Sequence, residues 1–164
     1  MSNPSRLSST IAACAVLFAA GASLCQSARA DEHSRFAQVP QLPLYKTECT
    51  SCHMAYPPGM LPAASWQRLM SGLPKHFGTD ASLDAAQAKT LSAWLAANAG
   101  TGRMASQAPP EDRISRSSWF VRQHDEVPAA TWKRPSIKSA SNCTACHTGA
   151  NQGDFNEHNV RIPR

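Results

Sequence analysis

Two pentapeptides stand out for their chemistry: Cys49-Thr50-Ser51-Cys52-His53 and Cys143-Thr144-Ala145-Cys146-His147. In each, two thiols three positions apart fall on one side of a helical turn, and a histidine follows the second thiol directly. That spacing suits covalent capture of a c-type haem. The thiols reach the two vinyl groups on one edge of a porphyrin and form thioethers. The histidine falls beneath the ring and binds iron from the proximal side. Such a tether holds the group even in a polypeptide too small to enclose it.

Other uses of a C-x-x-C pair fit less well. A thioredoxin-like redox pair sits in a larger βαβ context, and the chain shows no such pattern. A structural zinc site brings its cysteine pairs closer together in sequence, whereas Cys49 and Cys143 are 94 residues apart. Disulfides remain a use for paired cysteines in an oxidising compartment. The first 30 residues supply such a setting. Arg6, an apolar run over residues 11–24 and Ala28-Arg29-Ala30 before Asp31-Glu32 make a secretory signal with an A-x-A cleavage site. The apolar run is too short to span a bilayer comfortably, and Leu24 before Cys25 spoils a lipobox. The expectation is an exported, periplasmic protein of residues 31–164, from which Cys14 and Cys25 have gone. All four remaining cysteines then lie in the two pentapeptides, which favours two covalently bound haem c groups, each with its iron.

A haem iron takes a second axial ligand, and histidine with methionine raises the potential. Two histidines leave it lower, since a thioether favours ferrous iron. For the first pentapeptide the favoured distal ligand is His76, 23 residues after His53, in the Pro- and Gly-bounded turn Leu73-Pro74-Lys75-His76-Phe77-Gly78. Met60 and Met70 are its rivals. Met70 shares helical spacing with Trp66, Leu69 and Leu73, which reads as core; Met60 lies in a Pro-rich loop. For the second pentapeptide the choice is His124, 23 residues before His147, or His158, 11 residues after it. His124 is preferred because the shorter tether to His158 makes the opposite face of the ring harder to reach. His33 reads as a solvated side chain.

Helices must position these groups. A short one is expected over residues 64–71. The clearest spans 82–98, with Ser82 as N-cap, Asp84 favouring the positive end and Gly100 just past the close. Ala88, Leu91, Trp94 and Leu95 make its apolar stripe. Residues 100–113, rich in Gly, Pro and acid, read as a linker between a haem domain over 31–99 and another over 114–164. The second can bury only a small core of its own, so haem contacted by Trp119, Phe120, Trp132 and Ile137 supplies apolar surface. No period-two alternation suggests a sheet. The fold class is mostly α and loop-rich, with two small haem lobes.

The whole chain carries +5, from 16 basic and 11 acidic residues. Loss of the signal removes two basic residues and leaves +3. With no long Lys/Arg run, this excludes dedicated nucleic-acid binding. The charge is uneven: residues 31–112 hold six basic and seven acidic side chains, residues 113–164 eight and four. Lys133, Arg134 and Lys138 cluster before the second pentapeptide. They read as a solvated basic face or, more sharply, as a patch that steers an acidic partner.

Longer stretches carry a family resemblance. ECTSCHMAYPPGMLP is followed by SWQRLMSGLPKHFG and ASLDAAQ, then by WFVRQHDEVPAATWKRP, SNCTACHTGANQGDF and VRIPR. The chain thereby resembles the small periplasmic dihaem cytochromes c of purple photosynthetic bacteria and their relatives. The resemblance implies an N-terminal domain like a modified class I cytochrome c and a small, irregular C-terminal one. It implies bis-histidine ligation and low potentials, with His53 and His147 proximal and His76 and His124 distal. It implies electron transfer between a membrane cytochrome b and a small oxygen-binding c-type haem protein. The expected protein is a monomer and no enzyme. The competing reading is a dihaem enzyme or gas-binding protein with one open iron site.

Overall fold

In the computed structural model, residues 39–164 are described. The expected export signal, with Cys14 and Cys25, and His33 lie outside them. Pro43 opens the first helix, α1 (Pro43–Cys49), where its missing N–H costs nothing. Thr50 ends it, donating its hydroxyl to the Lys46 carbonyl at 2.7 Å. The chain then loops through two buried prolines, Pro57 and Pro58, into α2 (Ala63–Ser71). Trp66 of α2 is buried, and its indole N–H donates to the Pro58 carbonyl at 2.7 Å. The buried ring therefore leaves no donor unsatisfied.

The expected helix over 82–98 is α3 (Ala85–Ala97). Its cap is Asp84 rather than Ser82: one Asp84 carboxylate oxygen accepts from the amides of Ala86 and Gln87 at 2.9 and 2.8 Å. Ser82 is engaged one turn earlier, donating both its amide and its hydroxyl to Asp80. Gly100 follows the helix end as expected, two residues past the C-cap. Asn98 holds that place, its side chain and amide both donating to the Trp94 carbonyl. Gly100 lies where two backbones meet. Its N–H donates to the Leu61 carbonyl at 2.8 Å. A Cβ there would stand 2.2 Å from the Gly59 oxygen and 2.7 Å from the Ala105 Cβ.

Tyr45, Ala55, Leu61, Trp66, Leu91 and Leu95 form the first apolar cluster, with Trp94 and Met70 packed on its margin. Leu91 and Leu95 are fully buried; each such side chain stabilises the fold by about 1.5–3 kcal/mol. The segment 100–113 is tied back to α2 and to the turn that carries His76. Arg68 donates twice to Asp112, at 2.8 and 2.6 Å, and the Arg113 guanidinium lies 4.2 Å above the Phe77 ring.

Beyond it the architecture changes. One six-residue helix, α4 (Ser118–Gln123), is capped by the Ser117 hydroxyl, which accepts from the Phe120 amide at 3.2 Å. After α4 come 3-10 turns, at Thr131–Lys133, Cys143–Ala145, Ala150–Gln152 and Glu157–Asn159. Pro128, Pro135, Gly149 and Gly153 punctuate this stretch too often for a longer helix. The second apolar cluster joins Trp119 and Phe120 to Met60, which comes from the first half. Among the described residues there is no strand, only isolated bridges at His76–Thr79 and His147–Val160. The mostly helical, loop-rich chain expected from sequence is what forms.

Candidate metal centres

The first pentapeptide begins at the last residue of α1. His53 follows in a turn, and its Nδ1–H donates to the Met54 carbonyl at 2.6 Å. That bond fixes the tautomer and leaves Nε2 as the free lone pair, the usual arrangement behind a metal-binding imidazole. His76 arrives from the far side of α2. After the 3-10 turn Leu73–Lys75, Phe77 and Gly78 both take positive φ, 49° and 96°. The Thr79 amide closes the reversal on the His76 carbonyl at 3.0 Å. This is the φ signature of a type I′ turn. It strains Phe77 by roughly 1–2 kcal/mol, since a Cβ disfavours the left-handed region. The reversal aims the His76 ring at that of His53, with centroids 6.2 Å apart. His76 Nδ1 is buried without a hydrogen-bond partner. Burial, then the facing His53, then Arg113 hold its pKa below the ordinary imidazole value. The neutral form so favoured is the one that ligates metal.

The second pentapeptide starts in a 3-10 turn. The His147 amide donates to the Cys143 carbonyl at 2.8 Å, and the Arg161 amide donates to that of Cys146 at 2.9 Å. Together with the His147–Val160 bridge, the returning tail thus clamps the pentapeptide from behind. Opposite stands His124 at the C-cap of α4. Its Nδ1–H donates to the Phe120 carbonyl at 2.9 Å, and its ring stacks on Phe120 at 4.1 Å. The rings of His124 and His147 stand with centroids 6.1 Å apart and planes at 76°. His158 lies exposed in the last 3-10 turn.

These distances test whether an iron fits. An imidazole nitrogen binds a metal ion at roughly 2.0–2.1 Å with its ring centroid about 1.1 Å behind, so imidazoles on opposite sides of one ion stand about 6.3 Å apart. Both histidine pairs meet that span. Cys49, Cys52, Cys143 and Cys146 are free thiols, open to thioether formation. Burial and the neighbouring Glu48 push the Cys49 thiol up to about 11, and burial does the same for Cys143. Among the described residues no three His, Cys, Asp or Glu side chains gather as a metal cage.

The methionines are occupied elsewhere: Met60 in the second cluster, Met70 beside the first. Of the cations read as a patch, Lys133 and Lys138 are exposed. Arg134 is half-buried and donates to the Pro163 carbonyl at 2.8 Å. Burial raises the Cys146 thiol, and the charge of Arg134 pulls it back. One residue of the sites carried no signal in the sequence. Tyr56 lays its ring 4.9 Å from that of His53 and donates its hydroxyl to the Ser141 carbonyl at 2.6 Å. A tyrosine three positions after a ligand has no distinguishing pattern, and its partner is 85 residues away.

The profile of the family described as dihaem cytochrome c matches residues 45–155. A crystal structure of DHC purified from Rhodobacter sphaeroides is 49% identical, covers 71% of this chain and 99% of its own, and superposes with a TM-score of 0.63. The diheme cytochrome type c of Shewanella baltica is 36% identical over 76% of this chain and 95% of its own, with a TM-score of 0.66. No curated protein matches.

Proposed function

Because the chain belongs to the dihaem cytochrome c family, we propose that it relays electrons at low potential between a membrane b-type cytochrome and a small soluble oxygen-binding c-type haem protein. The family brings two covalently bound haem c groups and a role in electron transfer. Cys49 and Cys52 would tether the first haem and Cys143 and Cys146 the second. His53 and His76 would close the faces of one iron, His147 and His124 those of the other. Each bound haem supplies a one-electron ferric/ferrous couple.

The observation that carries this reading is the pair of opposed imidazoles, 6.2 and 6.1 Å apart. If these imidazoles hold both irons, no position would be left for substrate, which supports a carrier over an enzyme. The hydrogen bonds from His53 to Met54 and from His124 to Phe120 hold those rings ready. Bonds of this kind behind an imidazole fix the ring orientation of a metal ligand. Engagement of Met60 and Met70 elsewhere supports histidine as the distal ligand at the first site, and the exposure of His158 supports His124 at the second.

Export to the periplasm is supported by the leader over residues 1–30, and no described helix is long and apolar enough to cross a membrane. The basic half would face the partner: Lys133 and Lys138 are exposed on either side of Arg134, so an acidic protein would be steered toward the second haem. The test is carbon monoxide added to the reduced protein. The native protein should bind none rapidly, and His76→Ala and His124→Ala should each gain one binding site. Rapid stoichiometric binding by the native protein overturns the carrier reading.

A further inference from the structure

Tyr56 belongs to both sites at once. Its ring lies 4.9 Å from the His53 ring, and its hydroxyl donates to the Ser141 carbonyl at 2.6 Å. That same carbonyl stands 3.7 Å from Cys143 Sγ. The ring packs on the margin of both apolar clusters. Tyr45 fixes its backbone, donating to the Tyr56 carbonyl at 2.8 Å. Four residues on, Met60 meets Trp119 and Phe120, and Phe120 stacks on His124. The loop after the first pentapeptide therefore touches the second site on its tethered side and on its distal side.

We propose that Tyr56 is the bridge that couples the two haem sites, linking His53 through its ring and hydroxyl to the Ser141 carbonyl and the Cys143 sulfur. The proposal rests on the assignment of His53 and Cys143 to different haems. Electron tunnelling decays less steeply through covalent and hydrogen bonds than across an open gap. From His53 to Cys143 the path comprises one ring contact, one short hydrogen bond and one contact at sulfur. A single electron passes from the His53 side to the Cys143 side; no bond forms or breaks, and the tyrosine keeps its electrons and its proton. The bridge has a second effect. It pins the small turn-built region, through the residues just before Cys143, to the helical one.

The test uses the holoprotein. Tyr56→Phe keeps the ring against His53 and in both clusters and removes only the hydroxyl. In half-reduced protein, NMR exchange spectroscopy between haem methyl signals gives the rate at which the electron moves between sites. Tyr56→Phe should slow that exchange several-fold with unchanged ferric absorption and unchanged midpoint potentials. Tyr45→Phe, which removes the neighbouring hydroxyl, should lower the melting temperature and leave the exchange rate as in the native protein. Native exchange in Tyr56→Phe overturns the proposal. So does slow exchange accompanied by altered absorption or midpoints, which would mean a displaced haem, and so does equal slowing in Tyr45→Phe. Failure of the carrier reading is separate, since it shows in the native protein as carbon monoxide binding.

Discussion

The two histidine pairs are nearly equal in span, yet the regions that hold them are built differently. Residues 43–100 rest on three α-helices and a six-residue buried cluster. Residues 114–164 have one short helix, a run of 3-10 turns and a three-residue cluster that borrows Met60. The contrast teaches that facing imidazoles need local anchoring more than regular structure. In the first region a strained reversal delivers His76. In the second, a helix end held by a backbone carbonyl and an aromatic stack delivers His124. A segment too short for its own core draws instead on its neighbour and on the haem it tethers.

The largest expected effect tests that contrast directly. His76→Ala and His124→Ala should each convert one haem, and only one, from low to high spin, seen in the ferric absorption spectrum. Equal disturbance of both haems by either variant would mean that the two regions are not separately anchored. Next comes the core of the first region. Leu91→Ala should destabilise the protein by about 2–5 kcal/mol in denaturant unfolding, with the first haem's spectrum lost earlier than the second's. Gly100→Ala should be similarly disruptive in spite of its small size, because its methyl meets the Gly59 carbonyl; a loss of only the few tenths typical of an exposed surface change would break the account of that contact.

The smallest effect concerns Asp112, which pairs with Arg68 and ties segment 100–113 to α2. Arg68 beside it holds the carboxyl below its ordinary 3.8. A depressed carboxylate pKa stabilises the fold above the unfolded value, and that contribution is lost as pH falls through the folded one. Asp112→Asn should lower the melting temperature by a few degrees at most at neutral pH, as befits a partly exposed pair. The gap between native and variant should close as pH drops below 3.8. A gap that persists in acid would show that the ion pair is not its source.

Local features of this chain were legible in its sequence, and distant ones were not. The pentapeptides are self-contained, and α2 and α3 announce themselves by apolar spacing. Even there the cap was misplaced by two residues, because Ser82 and Asp84 are both good caps and only the turn at Asp80 decides which is free. Few histidines compete for a place beside each pentapeptide, and His76 and His124 are the ones whose rings lie near His53 and His147. The 3-10 turns of the second region repeat nothing and bury little, so no period marks them. Gly100, read as a helix stop, owes its place to the Gly59 backbone. Tyr56 and Met60 reach across the molecule, and such contacts depend on how the chain packs rather than on any neighbour in sequence.

Before their porphyrins arrive, the four free thiols are a liability. Two dithiols of this spacing close readily to disulfides in an oxidising compartment, and a closed pair has nothing to add to a vinyl group. Maturation is then a race between oxidation and capture. The yield of finished protein should depend on the supply of reducing equivalents at the place of capture as much as on porphyrin supply. A cell that makes polypeptide faster than it makes cofactor should accumulate colourless, cross-linked chains that a mild reductant restores to competence.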